Sequence, residues 1–382
     1  MSKSLYMTRQ LKIGKSEQLD FLALQAGAVY SKTVVTFWRI FRKSNHWISS
    51  NAMQKLVRDN NLHSQTVQGL VQTFYEALKS WNSLCKTDPH VKPPRRTGKY
   101  SSIPFKSSAI KLKGNMLTLS TGRGNQPVCI PWKFELPKYC EISFNGEEYV
   151  LNAVYEIVLP EMTSGEGNAG VSIGDVHLAA ASAGGTTVIA NGRGLRSKRE
   201  YLEYANAHFR SKMSKCQKHS RRWNRLQKAK KRTLHKLNNQ IKDILHKQTN
   251  AIVCAMKKEG VQTVGIGDEQ NTTGNVDYRA PAGIVRSMVA YKSERAGMRL
   301  KFIDGKHLGK ICPKCGEQNE SNEHVFGCVK CGFEYHCDGI CAINIRNLTE
   351  YREYVPVIGD MTPPVGIRYY ACSPRTSAAE AA

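Results

Sequence analysis

Four cysteines in two C-x-x-C pairs carry the clearest chemical signal in the sequence. Cys312-Pro-Lys-Cys315 and Cys328-Val-Lys-Cys331 are each followed by glycine. Each pair can chelate from a tight turn, and the polar segment between them can fold back to join the two. The product is a closed tetrahedral thiolate site, which favours Zn²⁺ and stabilises a piece too small for its own core. Such a site is structural and does not itself argue for catalysis. His336, Cys337 and Cys341 follow closely and are rival ligands, although the first four cysteines already complete a site. Two redox dithiols are the alternative reading. The other six of the 12 cysteines, from Cys85 to Cys372, are scattered through apolar or helical stretches and read as free thiols in a reducing compartment.

The second signal is a basic run. Arg193, Arg196, Lys198 and Arg199 open it, and Arg221, Arg222, Arg225, Lys228, Lys230, Lys231 and Arg232 continue it. Acids are too few for i,i+4 pairing, so like charges on a bare helix repel. Contact with a phosphate backbone relieves that repulsion and releases counterions. A solvated helix face is the bland alternative. Trp223 and His219 are candidates for base stacking, although a Trp at helical spacing is more often core.

These groups need elements to position them, and the whole chain fits the same picture. Its 382 residues suit two or three domains, and its formal net charge is +25. Self-repulsion on that scale calls for a polyanionic partner. A membrane surface is disfavoured, because no apolar run reaches transmembrane length and no secretory leader is evident. Residues 1–14 read as a strand and Glu17–Cys85 as helical, with Leu19, Leu22, Ala28 and Val29 on one stripe. Basic and aromatic residues interleave from Phe37 to Lys43. Lys92-Pro-Pro-Arg95 ends the helical region. Short strands follow at Ile110–Lys113, Met116–Leu119, Ile142–Phe144 and Tyr149–Leu151. Thr163–Gly170 reads as a linker.

Beyond it the pattern is α/β. Val171–Ile173 is a strand, Leu178–Ala181 and Thr187–Ala190 a hairpin, and Lys198–Lys258 a long basic helical region. Val261–Ile266, Ala282–Gly297 and Leu300–Ile303 then read as strand, helix and strand. That order fits a ribonuclease-H-like layer fold. The tail after Val357 is Pro/Ser/Ala-rich and is expected to be poorly ordered.

Several runs resemble TnpB, a transposon-encoded family of RNA-guided RuvC-type nucleases from which type V CRISPR effectors descend. They are Gly170-Val-Ser-Ile-Gly, Thr263-Val-Gly-Ile-Gly-Asp268, Tyr291-Lys-Ser-Glu-Arg-Ala-Gly297, the two cysteine pairs, and His336-Cys-Asp-Gly-Ile-Cys-Ala-Ile-Asn-Ile345. Residues 165–370 carry the specific likeness, and the first half resembles the family in layout only. The resemblance implies a multidomain α+β chain. A β-barrel-like wedge domain (1–14 and 97–165) would carry an inserted helical recognition domain (15–96). An RNase H-like α/β RuvC domain (168–310 and 334–355) would carry an inserted four-cysteine zinc knuckle (311–333), with a tail at 356–382.

In this family three carboxylates hold two divalent metals that clamp the phosphodiester. The third matches Asp338. The first falls at Ser172, which carries no charge. The second usually ends the strand at Gly267, with Asp268 and Glu269 beside it, and Glu294 matches a placement on the next helix. Asp175 cannot replace Ser172, since three places along a strand reverses the face. The binding residues are thus kept while the acids are depleted. The resemblance implies an RNA-guided DNA-binding protein with a degenerate RuvC site, able to repress transcription by occupancy. Its partners would be guide RNA and double-stranded DNA bearing a short flanking motif, with no membrane. Zn²⁺ would be structural, Mg²⁺ would matter only for an active enzyme, and the location would be cytoplasmic on a bacterial nucleoid. An active endonuclease with a rearranged acidic site and a non-guided RNA-binding protein are the other readings.

Overall fold

The computed structural model describes residues 5–96, 98–160, 166–174, 177–267, 282–305, 307–319, 325–351 and 364–367. The chain divides into two compact units, Met1–Val158 and Leu159–Ala382.

The first unit opens with β1 (Leu5–Gly14), followed by α1 (Glu17–Ser44), α2 (Ser50–Leu56) and α3 (Ser64–Leu84). Strands β2 (Ile103–Lys106), β3 (Ile110–Lys113), β4 (Met116–Leu119), β5 (Val128–Pro131), β6 (Tyr139–Phe144) and β7 (Tyr149–Ile157) complete it. The Ser16 hydroxyl caps α1 by accepting from the Leu19 N–H, while Glu17 and Asp20 in the first turn favour the helix dipole. The strands form two antiparallel sheets, ordered β1-β7-β6-β2 and β3-β4-β5. Helices and strands share one core, in which Leu22, Phe37 and Phe74 pack with Ile103, Leu117 and Leu151. The basic–aromatic stretch resolves in the same way. Phe37 is fully buried and meets Trp38, Phe74 and Tyr75 edge to face, so these rings are structural.

The second unit is built on a mixed sheet. Its strands are β8 (Gly167–Ser172), β9 (His177–Ala183), β10 (Thr186–Asn191), β11 (Val261–Gly267), β12 (Arg299–Ile303) and, after a β13 (Val325–Gly327)/β14 (Glu334–His336) pair, β15 (Val365–Ile367). The sheet order is β12-β11-β8-β9-β10-β15. β8 pairs antiparallel with β9, and β11 runs parallel to both β8 and β12. The helices are α4 (Arg193–Ser214), α5 (Arg221–Lys258), α6 (Ala282–Arg295) and α7 (Cys337–Tyr351). No helix among the described residues is long and apolar enough to cross a membrane.

The two faces of the sheet are covered differently. Val171, Val264 and Ile266 join Ile244, Leu245 and Ile252 of α5 and Val285 and Val289 of α6 in one core. Alternate positions look the other way, onto α7. That approach needs missing side chains. A Cβ at Gly170 would lie 2.2 Å from the Ala342 carbonyl oxygen, and one at Gly265 would lie 1.9 Å from Thr349 Oγ1. Glycine there lets α7 sit directly on the backbone.

Three expectations change. The basic helical region is two helices, broken where His219 takes a left-handed φ of 68° and Ser220 caps α5. Gly167–Gly170 is already strand rather than linker, because it pairs with β11. Val365–Ile367 is not loose tail, since it adds a parallel strand to β10.

Candidate functional site

The cysteine knuckle assembles as its spacing predicts. Cys312 Sγ lies 3.7 Å from Cys331 Sγ, and Cys315 Sγ lies 3.5 Å from Cys328 Sγ. A tetrahedral site with Zn–S bonds of about 2.3 Å has S···S edges of about 3.8 Å, so the four thiols suit zinc as they stand. Each pair turns in the same way. Gly316 N–H donates to the Cys312 carbonyl and Gly332 N–H to the Cys328 carbonyl, both at 2.9 Å, with both glycines at positive φ. Burial pushes the Cys312 thiol up to about 12. Burial also opposes ionisation of Cys328, but hydrogen bonds from the Cys331 and Lys330 backbone and from neighbouring thiols outweigh it and pull Cys328 down to about 6. Cys328 is therefore a ready thiolate at neutral pH, and a metal must displace the proton of Cys312. Cys341 is buried against Leu308 and Ile345, and Cys337 packs beside the knuckle, so neither joins the thiol cluster.

The basic residues fall into two patches. Arg193 and Arg196 are exposed in the first turn of α4, while Lys198 and Arg199 are half-buried. Arg221, Arg222, Arg225, Lys228, Lys231 and Arg232 are exposed on α5, and Lys230 is half-buried. Arg221, Arg222, Asn224, Arg225 and Lys228 line an open groove of about 870 Å³. α5 packs back along α4, and Gln248 Nε2 donates to the Asn191 carbonyl at 2.6 Å, near the start of α4. The 22 residues of α4 set Arg193 about 33 Å from the start of α5 at 1.5 Å per residue, while Arg199 and Arg232 lie closer along the antiparallel pair. The Trp223 ring lies 5.2 Å from the His219 ring, so each already has a neighbour.

The acidic centre is sparse. Asp338 stands in the first turn of α7, where its negative charge suits the helix dipole. Its Oδ1 would lie 3.2 Å from a Cβ at Gly174, which puts the carboxylate at the end of β8. Ser172, two places from Gly170, points to the same α7-covered face and is 6 % exposed. Gly267 offers no group at all, and a Cβ there would lie 2.9 Å from Ile345 Cδ1.

Glu294 stands in a different layer of the sheet from Asp338. It sits near the end of α6, on the opposite sheet face from α7. From there Gly297 turns the chain into Arg299, which pairs with Thr263 near the start of β11, whereas Ser172 and Gly267 end their strands. Asp175, Asp268 and Glu269 lie outside the described residues. Among the described residues, one carboxylate, one hydroxyl and one bare glycine do not fit a two-metal centre.

Sequence reasoning missed His177. Its Nδ1 lies 2.7 Å from Asp338 Oδ2, across 161 residues of chain. His336 stands beside both, its ring centroid 4.9 Å from that of His177. Nothing local marks the first residue of an alanine-rich strand as a neighbour of a distant helix.

The comparisons bear on the fold that carries these residues. The profile of a family described as a probable transposase, OrfB of IS605 type, matches residues 152–272. The profile of the Cas12f1-like TNB domain matches residues 283–345. No curated protein matches the chain. Among solved structures, a Cas12f1–sgRNA–target DNA complex is 13 % identical with a TM-score of 0.60, over 86 % of this chain and 82 % of that one. The mini-RNA-guided endonuclease CRISPR-Cas phi3 is 9 % identical with a TM-score of 0.50, over 94 % of each chain. Both share the mixed α+β multidomain fold. The transposase profile thus runs into the segment just after β11, and the TNB profile spans α6, the knuckle and the first turns of α7, so the two likenesses meet in the second unit.

Proposed function

We propose that this chain is an RNA-guided DNA-binding protein that holds its target without cutting it. The observation that carries the reading is the α7-covered sheet face. Asp338 remains there, Ser172 presents a buried hydroxyl, and Gly267, against the end of Ile345, offers no carboxylate. A hydroxyl cannot bridge two cations, so the described residues of this face leave a metal-assisted phosphodiester step without its first and second acids.

The binding side of the reading rests on charge and on the fold shared with guide-RNA and target-DNA complexes. The two patches on α4 and α5 would grip phosphates of the guide or heteroduplex, whose recognition is through backbone rather than base identity. The helices and strands of the first unit would serve as recognition and wedge elements and read a short motif beside the target. Zn²⁺ in the four-cysteine knuckle would fold the insertion around it. Stable occupancy without cleavage would repress transcription from the site, with the protein on the nucleoid of a bacterial cytoplasm.

The test has two arms on one preparation. The RNA that copurifies is sequenced, and the protein–RNA complex is then given matched and mismatched duplexes with Mg²⁺ or Mn²⁺. A discrete RNA, guide-dependent retention and intact DNA are expected. Robust cutting would establish the active-endonuclease reading instead, and copurifying RNA of no defined sequence would establish a non-guided RNA-binding protein.

A further inference from the structure

We infer that His177, His336 and Asp338 form a second metal site, separate from the cysteine knuckle, which takes one borderline divalent cation of the Zn²⁺ class. The three residues come from three elements. His177 is the first residue of β9, His336 the last of β14, and Asp338 the second of α7. One ligand atom from each lies within 4.8 Å of the others. The side chains of His177 and Asp338 are 15 % and 27 % exposed, so the cluster is sheltered yet reachable from solvent.

A plain hydrogen bond accounts for His177 and Asp338 alone. His336 brings a second imidazole to the same point, with the two rings at 70° rather than stacked. The surroundings favour a cation too. Gly174 leaves room for the carboxylate, since a Cβ there would lie 3.2 Å from Asp338 Oδ1 and 2.9 Å from the His177 carbonyl oxygen. His336 is oriented by the first turn of α7, its Nδ1 accepting from the Asp338 N–H at 3.2 Å. A metal drawing on that nitrogen displaces a long hydrogen bond, and the freed N–H is one of the helix-start donors that water can also satisfy. At His177 the metal takes the place of the proton shared with Asp338. In the neutral ring that proton passes through solvent to Nε2, leaving Nδ1 free to ligate, and the 2.7 Å separation opens to suit bonds of about 2.0–2.1 Å on each side.

The donor set selects the metal. Two imidazoles and one carboxylate suit Zn²⁺, Co²⁺, Ni²⁺ or Fe²⁺, whereas Mg²⁺ prefers oxygen ligands alone. Three protein ligands leave room for water. Bound there, the cation ties the start of β9 and the end of β14 to the start of α7. The site is a structural clip at the place where the family pattern expects the first and third acids. This inference does not rest on guide binding: its failure leaves the guide reading standing, and the reverse also holds.

Cobalt substitution tests it on the full-length protein as purified, with its RNA. Co²⁺ in the knuckle shows thiolate charge-transfer bands, Co²⁺ on N and O ligands shows weaker ligand-field bands alone, and Co²⁺ on phosphate is nearly colourless. Wild type is expected to hold two coloured equivalents per chain. His177→Ala and His336→Gln are each expected to lose the N/O component and keep the thiolate component, which also reports that the knuckle remains folded. If a variant loses both components, Asp338→Asn, which preserves shape, decides by the same readout. One coloured equivalent in wild type, or an N/O component that survives in His177→Ala, His336→Gln and Asp338→Asn, would overturn the site.

Discussion

Ile345 fills the space that a side chain at position 267 would require: a Cβ on Gly267 would lie 2.9 Å from its Cδ1. A side chain at 267 must therefore displace the terminal methyl of Ile345, where α7 packs on β11. Gly267→Glu should overpack this contact and destabilise by about 1–3 kcal/mol. Ile345→Ala alone should leave a cavity and cost about 2–5 kcal/mol. Together they should cost less than their sum, with a coupling of about 0.5–3 kcal/mol. Denaturant unfolding of the four proteins measures the cycle, and strict additivity would show that Ile345 does not guard position 267.

Ser172→Asp restores one carboxylate to the face that carries Asp338. With glycine still at 267 and Glu294 on the other face, no third acid stands there among the described residues. Cutting of guide-matched DNA in Mg²⁺ or Mn²⁺ is expected to stay undetectable in this variant. Clear cleavage by Ser172→Asp would mean that an acid outside the described residues completes the centre.

The groove at the start of α5 predicts a salt signature. Each phosphate that is no longer neutralised should lower the slope of log affinity against log salt by about 0.7 on single strands or about 0.9 on duplex. The triple variant Arg222→Ala, Arg225→Ala, Lys228→Ala should therefore flatten the slope by roughly two to three, with affinity falling most at low salt. Filter binding across a salt series checks this. An unchanged slope would place these exposed cations on a solvated face.

Zinc retention should depend on pH in a stated direction. Cys328 lies at about 6, below its usual 9.0, so the stabilisation from its thiolate is complete above the usual value and is lost as pH falls through about 6. Below that point the metal must deprotonate Cys328 as well as Cys312. Zinc release followed with a colorimetric chelator is expected to rise steeply below about pH 6, and Cys331→Ser should shift the release upward in pH.

Lys292 gives a second pH signature. Burial pulls its ammonium down to about 8, although Nζ donates to the His246 carbonyl at 2.6 Å and to Thr249 Oγ1 at 2.8 Å. A lowered folded value means that stability increases as pH rises from about 8 toward the usual 10.5. Melting temperatures of wild type relative to Lys292→Met should climb over that window. A flat difference would show that the ammonium is not desolvated.

Much of this protein is written locally. The two C-x-x-C-Gly turns need only adjacent residues and a glycine at positive φ, so their spacing was enough to foretell four convergent thiols. The hairpin Leu178–Ala190 and the strands from Ile110 to Leu151 followed from alternation, and the basic residues of α4 and α5 from composition. What tertiary structure decided is which of these local pieces meet. Glu294 matched a family position along the chain, yet the α7 and α5/α6 layers put it across the sheet from Asp338. The left-handed turn at His219, which splits the basic region in two, has no signature in a run of lysines and arginines. His177 meets Asp338 only because β9 pairs with β8 and α7 lies on their common face. Chain spacing specifies geometry over a turn or a strand, whereas sheet order and layer stacking bring together residues more than a hundred positions apart, and no local periodicity encodes that order.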